Sequence, residues 1–159
     1  MANLNSVQEA QLAPQGGSSA NLNTAWGTYE FTANPADADT VTFFELPAGA
    51  TVITGWLMGD DLDTGIEALD IDVGDADDAD RFGNFGVITG DAVTGTKPEA
   101  GILLQLFGTL KDGPHTYTSA TKVVATINTN AATGGTGTLS LILLYTYNDV
   151  RVSPPEKPV

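Results

Sequence analysis

Thr138 to Asn148 (TLSLILLYTYN) places an apolar side chain at every second position, a period that suits a strand with one buried face and does not suit a helix. It is the last and longest of eight or nine runs of this kind. The others are Trp26–Thr32, Thr40–Leu46, Thr51–Met58, Leu69–Val73, Phe85–Thr89, Ile102–Leu106, a run opening at His115, and Lys122–Asn128. Between them lie stretches rich in chain-turning residues: Asn34–Asp39, Pro47–Ala50, Asp60–Gly65, Lys111–Pro114 and Ala131–Gly137. No segment carries an amphipathic helical pattern, and no repeat of roughly 20–50 residues is present. The pattern predicts an all-β fold: an antiparallel two-sheet sandwich, jelly-roll-like, with a closed barrel as second choice.

The alternation of the final run places it at the centre of a sheet, and the short turn at Pro47–Ala50 predicts a hairpin between Thr40–Leu46 and Thr51–Met58. The expected core is Trp26, Phe31, Phe43 or Phe44, Trp56, Ile71, Leu104, Val124, Leu141 and Leu143. At 159 residues the chain has the length of one domain. The expected division is a flexible N-terminal arm over 1–24, a β-sandwich over 25–150 and a Pro-rich tail over 151–159. Pro14 and the glycines of GGSS at 16–19 interrupt any helix in the arm. Its scattered Leu4, Leu12 and Leu22 are the candidate contacts to a neighbouring subunit, since an arm of this composition orders against a partner or stays loose.

Charge narrows the partners. The net charge is −14, and residues 1–80 hold 15 of the 20 acids and no Lys or Arg. Nucleic acid and anionic lipid repel such a surface, so no nucleic-acid partner is expected. No membrane partner is expected either, because the longest apolar run, Leu139–Tyr145, is far shorter than the ~20 residues of a spanning helix. Residues 1–24 lack the basic and apolar regions of a secretory signal, which predicts synthesis in a cytoplasm. With no cysteine in the chain, disulfides and thiolate metal sites are excluded. Only 16% of residues are charged, against ~25% in ordinary soluble domains, a composition that fits extensive contact with other proteins.

Half of the acids, ten of 20, fall between Asp60 and Asp80, and Arg81 is the first base in the chain. Asp70-Ile71-Asp72-Val73 alternates as a half-buried strand does, Gly74 breaks it, and Asp75 to Asp80 (DADDAD) forms an acidic loop anchored by Arg81 and Phe82. Three readings stand for this loop: a solvated acidic surface, a partner-facing surface, or a calcium site drawing on Asp72, Asp75, Asp77, Asp78 and Asp80. Calcium takes six to eight oxygens, which clustered carboxylates supply, but the spacing matches neither the EF-hand nor the glycine-rich nonapeptide pattern.

Catalysis is poorly supplied. His115 is the single histidine, on a turn after Gly113-Pro114. No GxSxG, HExxH or phosphate-binding glycine loop is present. Paired carboxylates are what a glycosidase needs across its cleft, yet only Trp26 and Trp56 are near them in sequence as sugar platforms. No enzyme is expected and no catalytic residue is assigned.

Phe44 to Val52 (FELPAGATV) followed by Leu69 to Phe82 (LDIDVGDADDADRF) resembles segments of small structural proteins of tailed bacteriophages. The resemblance covers roughly residues 40–82. It implies a virion β-sandwich of the capsid decoration (cement) type, on the outer surface of the head. Such proteins act as homo-oligomers, trimers above all, that lock neighbouring subunits of the major capsid protein together. The family brings no catalytic residue and no cofactor. A tail, head-completion or fibre-base protein of the same particle is the first alternative, and a calcium-dependent carbohydrate-binding or adhesion module the second.

Overall fold

Among the residues that the computed structural model describes (3–5, 22–60, 62–64, 68–85, 102–105 and 114–147), ten strands run in chain order. They are β1 (Asn3–Asn5), β2 (Leu22–Phe31), β3 (Thr40–Leu46), β4 (Ala50–Gly59), β5 (Asp70–Gly74), β6 (Gly83–Phe85), β7 (Ile102–Gln105), β8 (His115–Thr116), β9 (Thr121–Thr129) and β10 (Gly137–Tyr147). One sheet has the order β1-β3-β9-β5-β6 and the other β2-β10-β4-β7, with β8 also paired to β4. All pairings are antiparallel except that of β1 with β3. The molecule is an all-β sandwich, with no helix among the described residues.

Each sheet is built on one long strand whose alternation is visible in the sequence. β10 is flanked by β2 and β4, and buries Leu139, Leu141, Leu143, Tyr145 and Tyr147 at alternate positions. β9 lies between β3 and β5 and buries Val123, Ala125 and Ile127. Side chains at every second residue project to one face of a strand, so these two sets meet face to face and form the core. The register of β3 on β9 slips between Thr42 and Phe44. The extra residue in that bulge lets Phe43 and Phe44 both enter the core, where the sequence alone leaves a choice between them. Gly27 is buried where β2 passes close to β3, and a Cβ there would sit 2.9 Å from the Phe43 carbonyl oxygen.

Four expectations are corrected. β3 and β4 do not form a hairpin: they belong to opposite sheets, and Pro47–Gly49 carries the chain across the end of the sandwich. The turn is tight, with Ala50 N–H donating to the Pro47 carbonyl (3.1 Å) and Gly49 at φ 90°. Its residues suit a corner as well as a hairpin, while β3 and β4 each find a longer partner, β9 and β10. Trp26 is not core but 57% exposed. Ala25, Gly27, Tyr29 and Phe31 share the inward phase of β2, and Trp26 falls on the opposite one. Trp56 and Val124 are half-buried for the same reason of phase, whereas Phe31, Ile71, Leu141 and Leu143 are buried as expected. The side chain of Leu104, the run 86–89 and the tail 151–159 lie outside the described residues.

Candidate functional site

The acidic loop is closed by its own hydrogen bonds. β5 and β6 pair as Val73↔Gly83, which makes residues 75–82 the connection of a β-hairpin. Asp75 N–H donates to the Asp78 carbonyl (2.9 Å), Phe82 N–H to the Val73 carbonyl (2.9 Å) and Gly83 N–H to the Asp80 carbonyl (2.9 Å). Gly74 is obligatory here, because a Cβ would overlap the carbonyl oxygens of Asp78 and Ala79. Phe82 is fully buried and anchors the return.

Asp75 is buried beneath the loop, and its carboxylate is fully engaged. Oδ1 accepts from the backbone N–H groups of Asp77 (2.9 Å) and Asp78 (3.1 Å) and from Arg81 Nη2 (3.3 Å). Oδ2 accepts from Arg81 Nε (2.5 Å) and from the Tyr117 hydroxyl (2.7 Å). Burial alone would raise the Asp75 pKa, but the Arg81 and Tyr117 hydrogen bonds, the Asp77 N–H and the guanidinium charge together hold it below its ordinary value. The same burial and the Asp75 carboxylate push the Tyr117 phenol well up. Arg81 Nη1 donates to His115 Nδ1 (3.2 Å), and the His115 ring meets Tyr117 edge to face at 4.7 Å. His115 therefore faces a guanidinium, which is no general-base arrangement. Since β5 belongs to one sheet and β8 to the other, this cluster ties the two sheets together at one end of the sandwich.

A second carboxylate does the same at the far end of β4. Asp63 is buried and accepts from the backbone N–H groups of Ala68 (2.7 Å), Leu69 (3.1 Å), Ala132 (3.2 Å) and Thr133 (3.2 Å). Burial works to raise its pKa, and these N–H groups outweigh it and lower the carboxyl. The residue thus joins the approach to β5 with the β9–β10 turn. Asp60 and Asp37 repeat the device singly, accepting from Thr138 N–H (2.8 Å) and Asn130 N–H (2.7 Å). Nothing in the sequence distinguishes Asp63 from its acidic neighbours.

Of the five acids considered for calcium, the structure turns Asp75 inward, gives Asp72 the Asn84 amide as a donor, and leaves Asp77 and Asp80 exposed with Asp78 half-exposed beside Arg81 (3.8 Å). No group of three or more His, Asp or Glu among the described residues is arranged to hold a metal ion. Of the three leucines considered for partner contact, Leu4 lies on β1 in register with Val41 of β3, Leu22 opens β2 with 60% exposure, and Leu12 lies outside the described residues. No described helix is long and apolar enough to cross a membrane.

No protein-family model and no curated protein matches the chain. Its fold is shared with chains of three solved phage structures. One is in the capsid of Ralstonia phage GP4, with a TM-score of 0.70 at 19% identity over 92% of this chain and 99% of that one. Another is in the cyanophage Pam1 capsid asymmetric unit, with a TM-score of 0.63 at 28% identity over 90% of this chain and 96% of that one. The third is in the acidic stable capsid of Helicobacter pylori bacteriophage KHP30, with a TM-score of 0.58 at 18% identity over 81% of this chain and 90% of that one. The sandwich is thus an architecture of phage capsid structures.

Proposed function

We propose that this chain is a non-enzymatic decoration (cement) protein of a phage capsid, bound to the outer shell and bridging subunits of the major capsid protein. The observation that carries the reading is the fold match to capsid chains, which is nearly complete in both directions. Such coverage means that the matched chains are sandwiches of about this length, the size of an accessory component. The strand order β2-β10-β4-β7 against β3-β9-β5-β6 supports a jelly-roll winding, in which successive strands cross between the sheets. The buried carboxylate at each end of the sandwich suits a protein that must hold its shape in a cysteine-free chain. In this reading the residues before β2, with Leu4 and Leu12, are the arm that meets the shell or a neighbouring copy, Leu22 stands exposed where β2 begins, and the chain works as a homo-oligomer, a trimer before other forms.

Copy number tests the proposal. Purified particles of the encoding phage, analysed by quantitative mass spectrometry against the major capsid protein, should hold hundreds of copies in a simple ratio to it. A handful of copies would move the protein to the tail or the head-completion region, and none would remove it from the particle.

A further inference from the structure

The two tryptophans of the chain stand on one face of the sandwich. Trp26 of β2, Ile142 of β10 and Trp56 of β4 share one register row, and all three fall in the outward phase of their strands. Trp26 is 57% exposed and Trp56 is half-buried. Two strand spacings of ~4.8 Å separate them, about 10 Å in all. Hydroxyls line the rows on either side. Thr24, Leu144 and Thr54 form one row, and Thr28, Ser140 and Met58 the other, with the Thr28 and Ser140 hydroxyls bonded at 3.0 Å. The Thr54 hydroxyl is buried without a hydrogen-bond partner, a costly state for a polar group. Among the described residues, the charges of this face are Glu30 and Asp60 in its last row. Both accept from Thr138, Glu30 from its hydroxyl (2.7 Å) and Asp60 from its N–H (2.8 Å).

We propose that this row binds an extended, uncharged glycan, a chain of β-1,4-linked pyranose rings laid across the strands. The shape of the row selects that ligand. An indole offers a flat apolar surface to the C–H face of a pyranose, and the ~10 Å between the two tryptophan positions is the run of two linked rings. The polar groups select it as well. Sugar hydroxyls donate and accept, as the flanking threonines and serine do, and the carboxylates at the rim accept only. A glycan hydroxyl gives Thr54 the partner that the protein does not supply. Charge and area disfavour a macromolecule. The net charge of −14 repels another acidic chain. Three strands of about ten residues span on the order of 500 Å², against ~800 Å² per partner in a standard protein interface. An uncharged oligosaccharide meets neither obstacle. The acidic loop belongs to the other sheet, so the site draws on no calcium. It is also independent of the capsid reading.

Intrinsic fluorescence of the full chain tests it, because both tryptophans lie in the row. Titration with cellohexaose or hexa-N-acetylchitohexaose should shift the emission saturably, in the millimolar range or below. Maltohexaose, whose α-1,4 links coil the chain, should bind roughly tenfold more weakly or not at all. Calorimetric titration then gives the affinities of the variants. Trp26→Ala should weaken binding roughly tenfold or more, as loss of an aromatic anchor does, and should keep the wild-type melting temperature because Trp26 is exposed. Thr54→Val keeps the side-chain shape and should weaken binding severalfold without lowering the melting temperature, since that hydroxyl has no protein partner to lose. Glu45→Lys, on the other sheet, should leave binding within about twofold. The absence of a saturable shift with both extended glycans overturns the proposal, as does an equal response to maltohexaose or binding that Trp26→Ala leaves intact. Binding that a chelator abolishes would place the glycan at a calcium site instead and overturns it too. A chain that ignores these glycans yet is present in hundreds of copies per particle would leave the capsid reading standing, and a glycan-binding chain absent from particles would do the reverse.

Discussion

A carboxylate that receives two backbone N–H groups, an arginine and a tyrosine hydroxyl cannot be protonated without weakening all of them. Asp75 holds that position, and Asp63 holds a similar one against four backbone N–H groups. Both carboxyls are lowered in the fold. Their stabilisation is therefore present above the unfolded carboxylate pKa of ~4 and is lost as pH falls through the lower folded values. The melting temperature should stay level from about pH 7 to 5 and fall below about pH 4. Asp75→Asn removes the charge yet keeps the shape, leaving Arg81 partly buried beside a neutral amide. It should cost about 2–3 kcal/mol near neutrality, with the gap to wild type narrowing toward about pH 3. Calorimetric melts of both proteins across that range check this, and an unchanging gap would show that the charge is not the source. Tyr117→Phe deletes one hydrogen bond to a charged acceptor and should cost about 1.5 kcal/mol in the same measurement.

At the level of elements, most strands are legible because alternation is a local property. The sequence pattern delimits β3 to the residue, and β4, β5, β9 and β10 to within one residue or so at each end. The sheet assignment is less legible, since Pro47–Gly49 has the same turn chemistry whether it closes a hairpin or crosses the sandwich. The phase of β2 is misleading at Trp26 because bulk ordinarily signals burial, while here the small residues Ala25 and Gly27 mark the inward face. β1 has no signal at all. Asn3–Asn5 carries one apolar residue, and its pairing with β3 depends on an edge contributed from residues 40–42. At the acidic loop the role of Arg81 is partly visible as a counter-charge, but Tyr117, 42 residues from Asp75, is not. Because β1 adds three register pairs at a sheet edge, deleting residues 2–21 should leave the sandwich folded, lowering the melting temperature only by several degrees. In the proposed function the same deletion abolishes particle binding. Undiminished occupancy on particles stripped and then re-supplied with the truncated chain would remove the arm from that role.

For the whole molecule, the question is what relieves the acidic side. Two answers differ in a measurable way. If Asp72, Asp77, Asp78 and Asp80 converge on calcium, the ion binds the folded state alone, and at a hundredfold excess over its Kd it adds about 2.7 kcal/mol. For a chain of this size that amounts to roughly 5–10 °C in melting temperature. If the loop is instead closed from within by Asp75 and Arg81, the remaining acids are surface charges that repel weakly and are screened by any salt, with a Debye length of ~10 Å at 0.1 M. The described geometry favours the second answer, because the central carboxylate already has five donors and Asp72 is held by Asn84. We therefore expect calcium and magnesium at equal ionic strength to raise the melting temperature alike, by no more than about 2 °C, and a chelator to have no effect. A calcium-specific rise of the larger size would return the acidic loop to the class of cation sites and reopen the adhesion-module alternative. A shared small rise would mean that Asp72, Asp77, Asp78 and Asp80 act as screened surface charges, with Asp75 and Arg81 closing the loop from within.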